Sequence, residues 1–391
     1  MFGAWNLFGY WDLVLGIYPS IIVLSPMKQA DVIVLGGGII GCSLAAALRR
    51  QGQQVAVIER GVIGAEASTA AAGILSAQMD LARPGPFFDL CQAARRQYPG
   101  WVRELERRSG VGVGYHRDGI LYLALTRREE TRMAARARWQ RQLGLHAERW
   151  SPAEVRRREP SVDGSLRAGF FFPDEAQVDN QALMRALASA CRKAGVRLME
   201  HTAVRRLIVQ RKRVQGVVTS RGAVRGPIVV NCLGSWASLG GRFAIPVEPA
   251  RGQMLAFSGP KRLFRHAVMA EQAYVVQRRD GRLLVGSTIE HVGFDKSLTL
   301  EGMSSILNGL RRFSSALERC TFLNAWAGFR PYSKTGRPLL GPTRISGLYL
   351  ATGHFRHGIL LAPITAKVMA EVILRGRASV DLSPFAPARL R

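Results

Sequence analysis

The chain has 391 residues, 47% of them hydrophobic, enough for two domains or for one large α/β body with an inserted lobe. Its formal net charge of +27 raises nucleic acid or an anionic membrane as partners, but the excess is nearly all arginine and is scattered in pairs such as Arg49-Arg50, Arg95-Arg96 and Arg205-Arg206, which read as a solvated basic surface. The five cysteines are odd in number and form no C-x-x-C pair, which argues against a disulfide framework or a zinc site and for a reducing, cytoplasmic setting.

Residues 1–26 are apolar and aromatic with a single charge, Asp12. No basic n-region precedes them, as a secretory signal would require. Asp12, Gly16 and Pro19 interrupt what would otherwise be long enough to span a bilayer. Three readings stand: an extension ahead of a natural start at Met27, a membrane contact using Trp5, Tyr10, Trp11 and Tyr18, or a packed segment.

Residues 31–60 carry the strongest local signal. Asp31–Leu35 reads as a buried strand, Gly36 to Gly41 fits G-x-G-x-x-G, Cys42–Arg50 reads as a helix, and Val55–Ile58 as a second strand ending at Glu59. Gly36 permits the tight turn, Gly38 lets the backbone approach a pyrophosphate, and Gly41 lets the helix pack on the strands. Ile39 and Ile40 lie within this motif, and the N-terminus of the helix that follows offers free N–H groups that favour phosphate. Glu59 can accept hydrogen bonds from ribose hydroxyls. Motif, strand, helix, strand and acid together make a dinucleotide-binding unit.

Arg60 follows, and then the small residues of GAEASTAAAGIL, among them Ser68, Thr69, Ala72, Gly73 and Ile74. Here small side chains can lie against a flat ligand, and the two hydroxyls can donate to phosphate or ring oxygens. This stretch, E-R-G followed by E-A-S-x-A-A-A-G, resembles the FAD-dependent amine oxidases of the D-amino-acid oxidase group, and within it the glycine oxidases of thiamine biosynthesis. In that family the segment binds FAD rather than NAD.

Further on, helices are expected at Phe87–Ser109 and Thr126–Leu143, a strand at Gly119–Leu125, and a helix start at Ser151-Pro152 with Glu154. PDEAQVD at 173–179 is similar to the segment before a family helix that runs here to about Gly195. Strands are expected at 196–200, 203–210, 213–220 and 228–233; the resemblance puts Val204 near the adenine. Residues 246–325 look like the inserted substrate lobe, with antiparallel strands at 251–257, 273–277 and 283–287, a helix at 301–313 and a returning strand at 321–327. Tyr274 is a packing residue by its strand position; the resemblance makes it border the substrate.

Two C-terminal motifs complete the pattern. Arg330 lies in G-F-R-P, which is similar to the family's G-x-R-P, where the guanidinium clamps a substrate carboxylate. Residues 354–360, His354, Phe355, Arg356, His357, Gly358, Ile359 and Leu360, resemble the family's H-[FY]-R-N-G-I-L at the pyrimidine end of the flavin. His354 and His357 have no third ligand nearby, so no metal site is expected.

The resemblance, from residue 31 to about 376, implies an α/β two-lobed fold. A Rossmann-type FAD-binding domain (27–85, 151–245 and 326–391) would carry an inserted mixed antiparallel-sheet substrate domain (86–150 and 246–325). It implies noncovalent FAD. Arg330, Tyr274 and Arg356 would orient a small amino acid for hydride transfer to flavin N5, with no side-chain acid or base. O2 would be reduced to H2O2, and the imine handed to a thiazole synthase. A homo-oligomer is expected and nucleic acid is not. The rivals are a membrane-associated amino-acid dehydrogenase passing electrons to a quinone and a tRNA-modifying flavin oxidase.

Overall fold

The structure, a computed structural model, describes residues 28–238 and 244–387; the expectations for residues 1–26 lie outside them. The expected first strand forms at Val32–Leu35 and the second at Val55–Ile58, every residue of both buried. Such continuous β-branched runs suit parallel strands covered on both faces. They pair in parallel at the centre of a six-stranded sheet ordered Leu339–Pro342, Leu348–Thr352, Ile228–Asn231, Val32–Leu35, Val55–Ile58, Arg197–Met199. Only the edge strand Leu339–Pro342 runs antiparallel to its neighbour.

Four helices build the core on one face of this sheet: Ile39–Arg50, Pro86–Ser109, Asn180–Lys193 and Gly358–Arg375. Asp179 caps the third by accepting from the Gln181 and Ala182 amides. Gly376, left-handed at φ 72°, ends the fourth. That last helix, with the turn before it, is long and apolar enough to cross a membrane by length and composition; 72% of the stretch is buried inside the molecule, as a core helix would be.

The second large sheet has eight strands, with Thr321–Ser333 at one edge beside Val247–Ser258 and Glu148–Trp150 at the other. Its lobe is mixed, as expected: most pairs are antiparallel, and Ala267–Met269 runs parallel to Ile120–Ala124. The lobe boundaries fall elsewhere than expected. Strand Ala168–Phe172, expected in the dinucleotide-binding domain, lies in the eight-stranded sheet between Ile120–Ala124 and Glu148–Trp150. The helix Pro86–Ser109 buries Leu90, Cys91, Ala94 and Tyr98 in the core of the dinucleotide-binding lobe. Its apolar stripe matched that core, which pattern alone does not assign to a lobe.

The strand expected at 321–327 continues to Ser333. Arg330 therefore stands on a strand, opposite Ala250. Pro331 is tolerated there because the strand lies at the sheet's edge.

Candidate active site

A cavity of about 890 Å³ runs between the ends of the two sheets. The end at the parallel sheet is lined by Gly36, Gly38, Ile39, Ile40, Glu59 and Arg60, and the far end by Tyr274, Arg330 and Arg356.

The glycine turn is shaped by contact. A β-carbon on Gly36, which has φ +98°, would lie 2.6 Å from the Cys232 carbonyl oxygen, and one on Gly41 would lie 2.0 Å from the Gly36 oxygen. Only glycine fits either position. Gly41 is beneath the turn and does not line the cavity. Gly38 is the N-cap of Ile39–Arg50 and has no side chain to cap it, so amides at this helix end face the cavity. Glu59 accepts from the Gly37 amide at 2.8 Å and the Gly61 amide at 2.9 Å, which fixes its carboxylate on the cavity wall. A helix N-terminus opening on the cavity, a close-approach turn and a fixed carboxylate match the pyrophosphate and ribose of a dinucleotide.

The two hydroxyls expected at the ligand part company. Ser68 lines the cavity, and its oxygen accepts from the Ile39 amide at 2.9 Å. Thr69 does not line it: its hydroxyl donates to the Gly64 carbonyl at 2.8 Å, inside the turn of Ala67–Ala70. A one-turn helix there points successive side chains to different faces, which corrects the expectation for Thr69. Arg60 stacks over Trp236 at 3.9 Å and pairs with Glu66 at 2.7 Å. Val204, at the start of its strand, lines the same end.

Ala72, Gly73 and Ile74 line the middle of the cavity. Sequence reasoning missed what holds them. The buried Arg278 donates to the Ala72 carbonyl at 2.8 Å and to Asn180 Oδ1 at 3.1 Å, and Asn180 Nδ2 donates to the Ser68 and Thr69 carbonyls at 2.9 Å each. Burial brings this guanidinium down to about 10. Trp326 Nε1 donates to the Ala70 carbonyl at 2.9 Å. Both ties run from the eight-stranded sheet to the small-residue segment. Arg278 follows directly on the strand of Tyr274, the one available hint.

At the far end Arg330 Nη1 donates to the Thr288 carbonyl at 3.0 Å and Nη2 to Ser287 Oγ at 2.7 Å. Burial lowers its pKa, and nearby Tyr274 opposes that shift. The fork is thus aimed by protein acceptors while its remaining donors are free for a planar carboxylate. Tyr274 Oη points to Met254 Sδ at 3.1 Å. Two strand glycines make the room: a β-carbon on Gly252 would meet Arg330 Nη1 at 2.1 Å, and one on Gly286 would meet Tyr274 Oη at 2.8 Å.

Residues 354–360 all line the cavity where helix Gly358–Arg375 begins. His354 Nε2 faces Thr365 Oγ1 at 3.1 Å, and burial lowers its pKa to about 3, so the ring is neutral. Arg356 lies 3.7 Å from Asp80, and His357 3.6 Å from the same carboxylate. The helix N-terminus favours negative charge on a flat ligand lying there.

A family model described as DAO, FAD dependent oxidoreductase, matches residues 31–372. The chain is 32% identical over 368 residues to the glycine oxidase of Geobacillus kaustophilus, covering 92% of this chain and 97% of that protein. It is 35% identical over 371 residues to the bifunctional protein ThiO/ThiG of Synechocystis, covering 92% of this chain and 54% of that protein, so it spans about half of that relative's length. The crystal structure of the Geobacillus kaustophilus glycine oxidase superposes with a TM-score of 0.90 at 30% identity, covering 93% of this chain and 100% of the other.

Proposed function

We propose that this chain, which belongs to the DAO family of FAD-dependent oxidoreductases, oxidises glycine or another small amino acid to its imine, with O2 as the electron acceptor. The single observation that carries the proposal is Arg330. It is a cavity-lining guanidinium held by the Thr288 carbonyl and Ser287, facing the same space as the glycine-turn helix end.

FAD bound here would supply a two-electron acceptor for the α-C–H bond, with O2 as the final oxidant, reduced to H2O2. The glycine turn and the Ile39 helix end would hold its pyrophosphate, Glu59 its ribose, and the 354–360 turn its ring. The chain's own part is orientation. Arg330 binds the carboxylate in two parallel hydrogen bonds and so fixes where the α-carbon stands. Tyr274 and Met254 line the same cavity. No side chain is assigned as acid or base, since positioning a bound amine can supply several kcal/mol on its own.

Hand-off of the imine to a thiazole synthase belongs to this proposal. It is supported by relatives in which a ThiO part and a ThiG part share one polypeptide. So do a homo-oligomeric state and a cytoplasmic setting, the latter supported by five free cysteines. The glycine oxidase of Geobacillus kaustophilus, oxidase by name, favours this reading over the dehydrogenase and tRNA-oxidase rivals.

The test is oxygen consumption by the FAD-loaded protein with glycine, sarcosine, D-alanine, D-proline and L-proline in parallel. The expected result is uptake with peroxide formation, fastest on glycine. Flavin bleaching without oxygen uptake would replace the oxidase by a dehydrogenase.

A further inference from the structure

One arginine in the cavity wall makes no hydrogen bond or close ion pair among the described residues. Arg136 stands on the helix Arg127–Gln142, is partly buried, and lines the cavity. Its Nε is buried without a hydrogen-bond partner among the described residues. Arg132, one turn earlier, is by contrast engaged by Glu271 at 2.8 Å and the Tyr122 hydroxyl at 3.0 Å. An arginine keeps its charge and its five donors. Leaving the buried Nε unmatched costs free energy unless a ligand brings an acceptor.

The surroundings narrow what that ligand is. Asp80 is the acid whose charge acts on Arg136, yet its pairs are with Arg356 at 3.7 Å and His357 at 3.6 Å, both longer than hydrogen bonds. His357 Nε2 is a second buried nitrogen without a partner, and burial lowers its pKa, so the ring is neutral. Arg132 and Glu271 cancel. Arg136 and Arg356 against Asp80 leave one positive charge uncompensated. Arg356 is near enough to act on both Arg136 and Arg330. The spare charge and the carboxylate fork therefore share one cavity.

We propose that Arg136, with Arg356 beside it, forms a second anion subsite, and that the cavity takes small amines carrying a second carboxylate beyond the one Arg330 holds. This rests on the assignment of Arg330 as the clamp for the first carboxylate. Arg136 then sets specificity: glycine fills only the Arg330 end, and a second carboxylate is the acceptor that the Arg136 guanidinium lacks.

The test uses the FAD-loaded protein and two ligands that cannot be oxidised as amines, diglycolate and methoxyacetate, which share one skeleton and differ in the second carboxylate. Binding is read from the change in flavin absorbance. Diglycolate is expected to bind about tenfold or more tightly than methoxyacetate, as a charge-assisted contact implies. Arg136→Gln should erase that advantage and Arg136→Lys should keep part of it. In turnover, the kcat/KM ratio of N-(carboxymethyl)glycine to N-ethylglycine should fall about tenfold in Arg136→Gln. Equal binding of the two ligands by the native protein, or an advantage that survives Arg136→Gln, overturns the subsite. So does free acetate tightening methoxyacetate binding with no gain for diglycolate, which would make it a site for a free anion. If glycine fails to reduce the flavin and neither ligand perturbs it, the Arg330 assignment falls instead, and the subsite with it.

Discussion

Gly252 lies directly under Arg330: the two are diagonal neighbours on paired strands, because Ala250 is opposite Arg330 and Gly252 is opposite Gly328. A β-carbon on Gly252 would stand 2.1 Å from Nη1. The strand backbone cannot yield without breaking its ladder, so the guanidinium must move. Gly252→Ala is expected to raise the glycine KM about tenfold or more while FAD stays bound, since orientation is what the residue provides. Steady-state kinetics beside the flavin spectrum check this; an unchanged KM would refute the packing account.

Removing the fork itself is the harsher test. Arg330→Met keeps the bulk and deletes the charge. The loss of a desolvated, bidentate carboxylate contact is worth on the order of 2–5 kcal/mol, so kcat/KM for glycine should fall at least about thirtyfold. Bound FAD should be unaffected, which equilibrium dialysis can establish.

Glu59 gives the opposite signature. Its carboxylate is held by the Gly37 and Gly61 amides and faces the cavity beside the glycine turn. Glu59→Ala should weaken FAD about tenfold to a hundredfold, in line with a charge-assisted pair of hydrogen bonds. Once FAD is saturating, the glycine KM should return to its native value.

Glu175 makes stability depend on pH. It is fully buried; burial raises its pKa to about 7, against the pull of Arg95. Between the ordinary carboxyl value of 4.5 and about 7, the native protein holds more protons here than the unfolded chain does. Stability from this group is therefore full at the acid end and is lost as pH rises through that window, by roughly 3 kcal/mol at most. Urea unfolding at a series of pH values should show this slope in the native protein. In Glu175→Gln the slope should flatten; parallel curves would refute it.

Arg278 braces the small-residue segment from behind. Arg278→Met would leave the Ala72 carbonyl and Asn180 Oδ1 without a donor in a buried place, at about 1–3 kcal/mol for each group. Lower thermal stability and weaker FAD binding are expected together. A variant that loses stability but binds FAD as tightly as before would show that the brace does not shape the cavity.

The dinucleotide half of the site could be read from the sequence because its parts are contiguous. Gly36, Gly38, Gly41 and Glu59 fall within one strand–helix–strand unit, and each has a local reason to be where it is. Thr69 went astray because its hydroxyl satisfies the Gly64 carbonyl five residues back, a choice made by one turn of helix. Gly252, Arg278 and Arg136 were missed for a different reason. Their meaning depends on strand register and on partners far along the chain, such as Arg330 for Gly252 and Ala72 for Arg278. For Gly252 the warning was a glycine inside a strand pattern, which marks close approach of another group, and for Arg278 it was its place directly after the strand of Tyr274. The expected lobe limits slipped at Pro86–Ser109 and Ala168–Phe172 because a stripe or a strand shows that an element is buried without saying in which core.

The division of labour between the two sheets has a consequence for descent and redesign. Arg330, Tyr274, Met254 and Gly252 stand on one sheet, while the glycine turn and Glu59 belong to the other. On the proposed function, a lineage could therefore rewrite which amine is oxidised by changing a few strand positions and leave the dinucleotide half unaltered. The ties from Arg278 and Trp326 across to Ala70 and Ala72 mark where that freedom ends. Changes that loosen those ties would alter diet and engine at once, so new substrates should arise through positions that leave them in place.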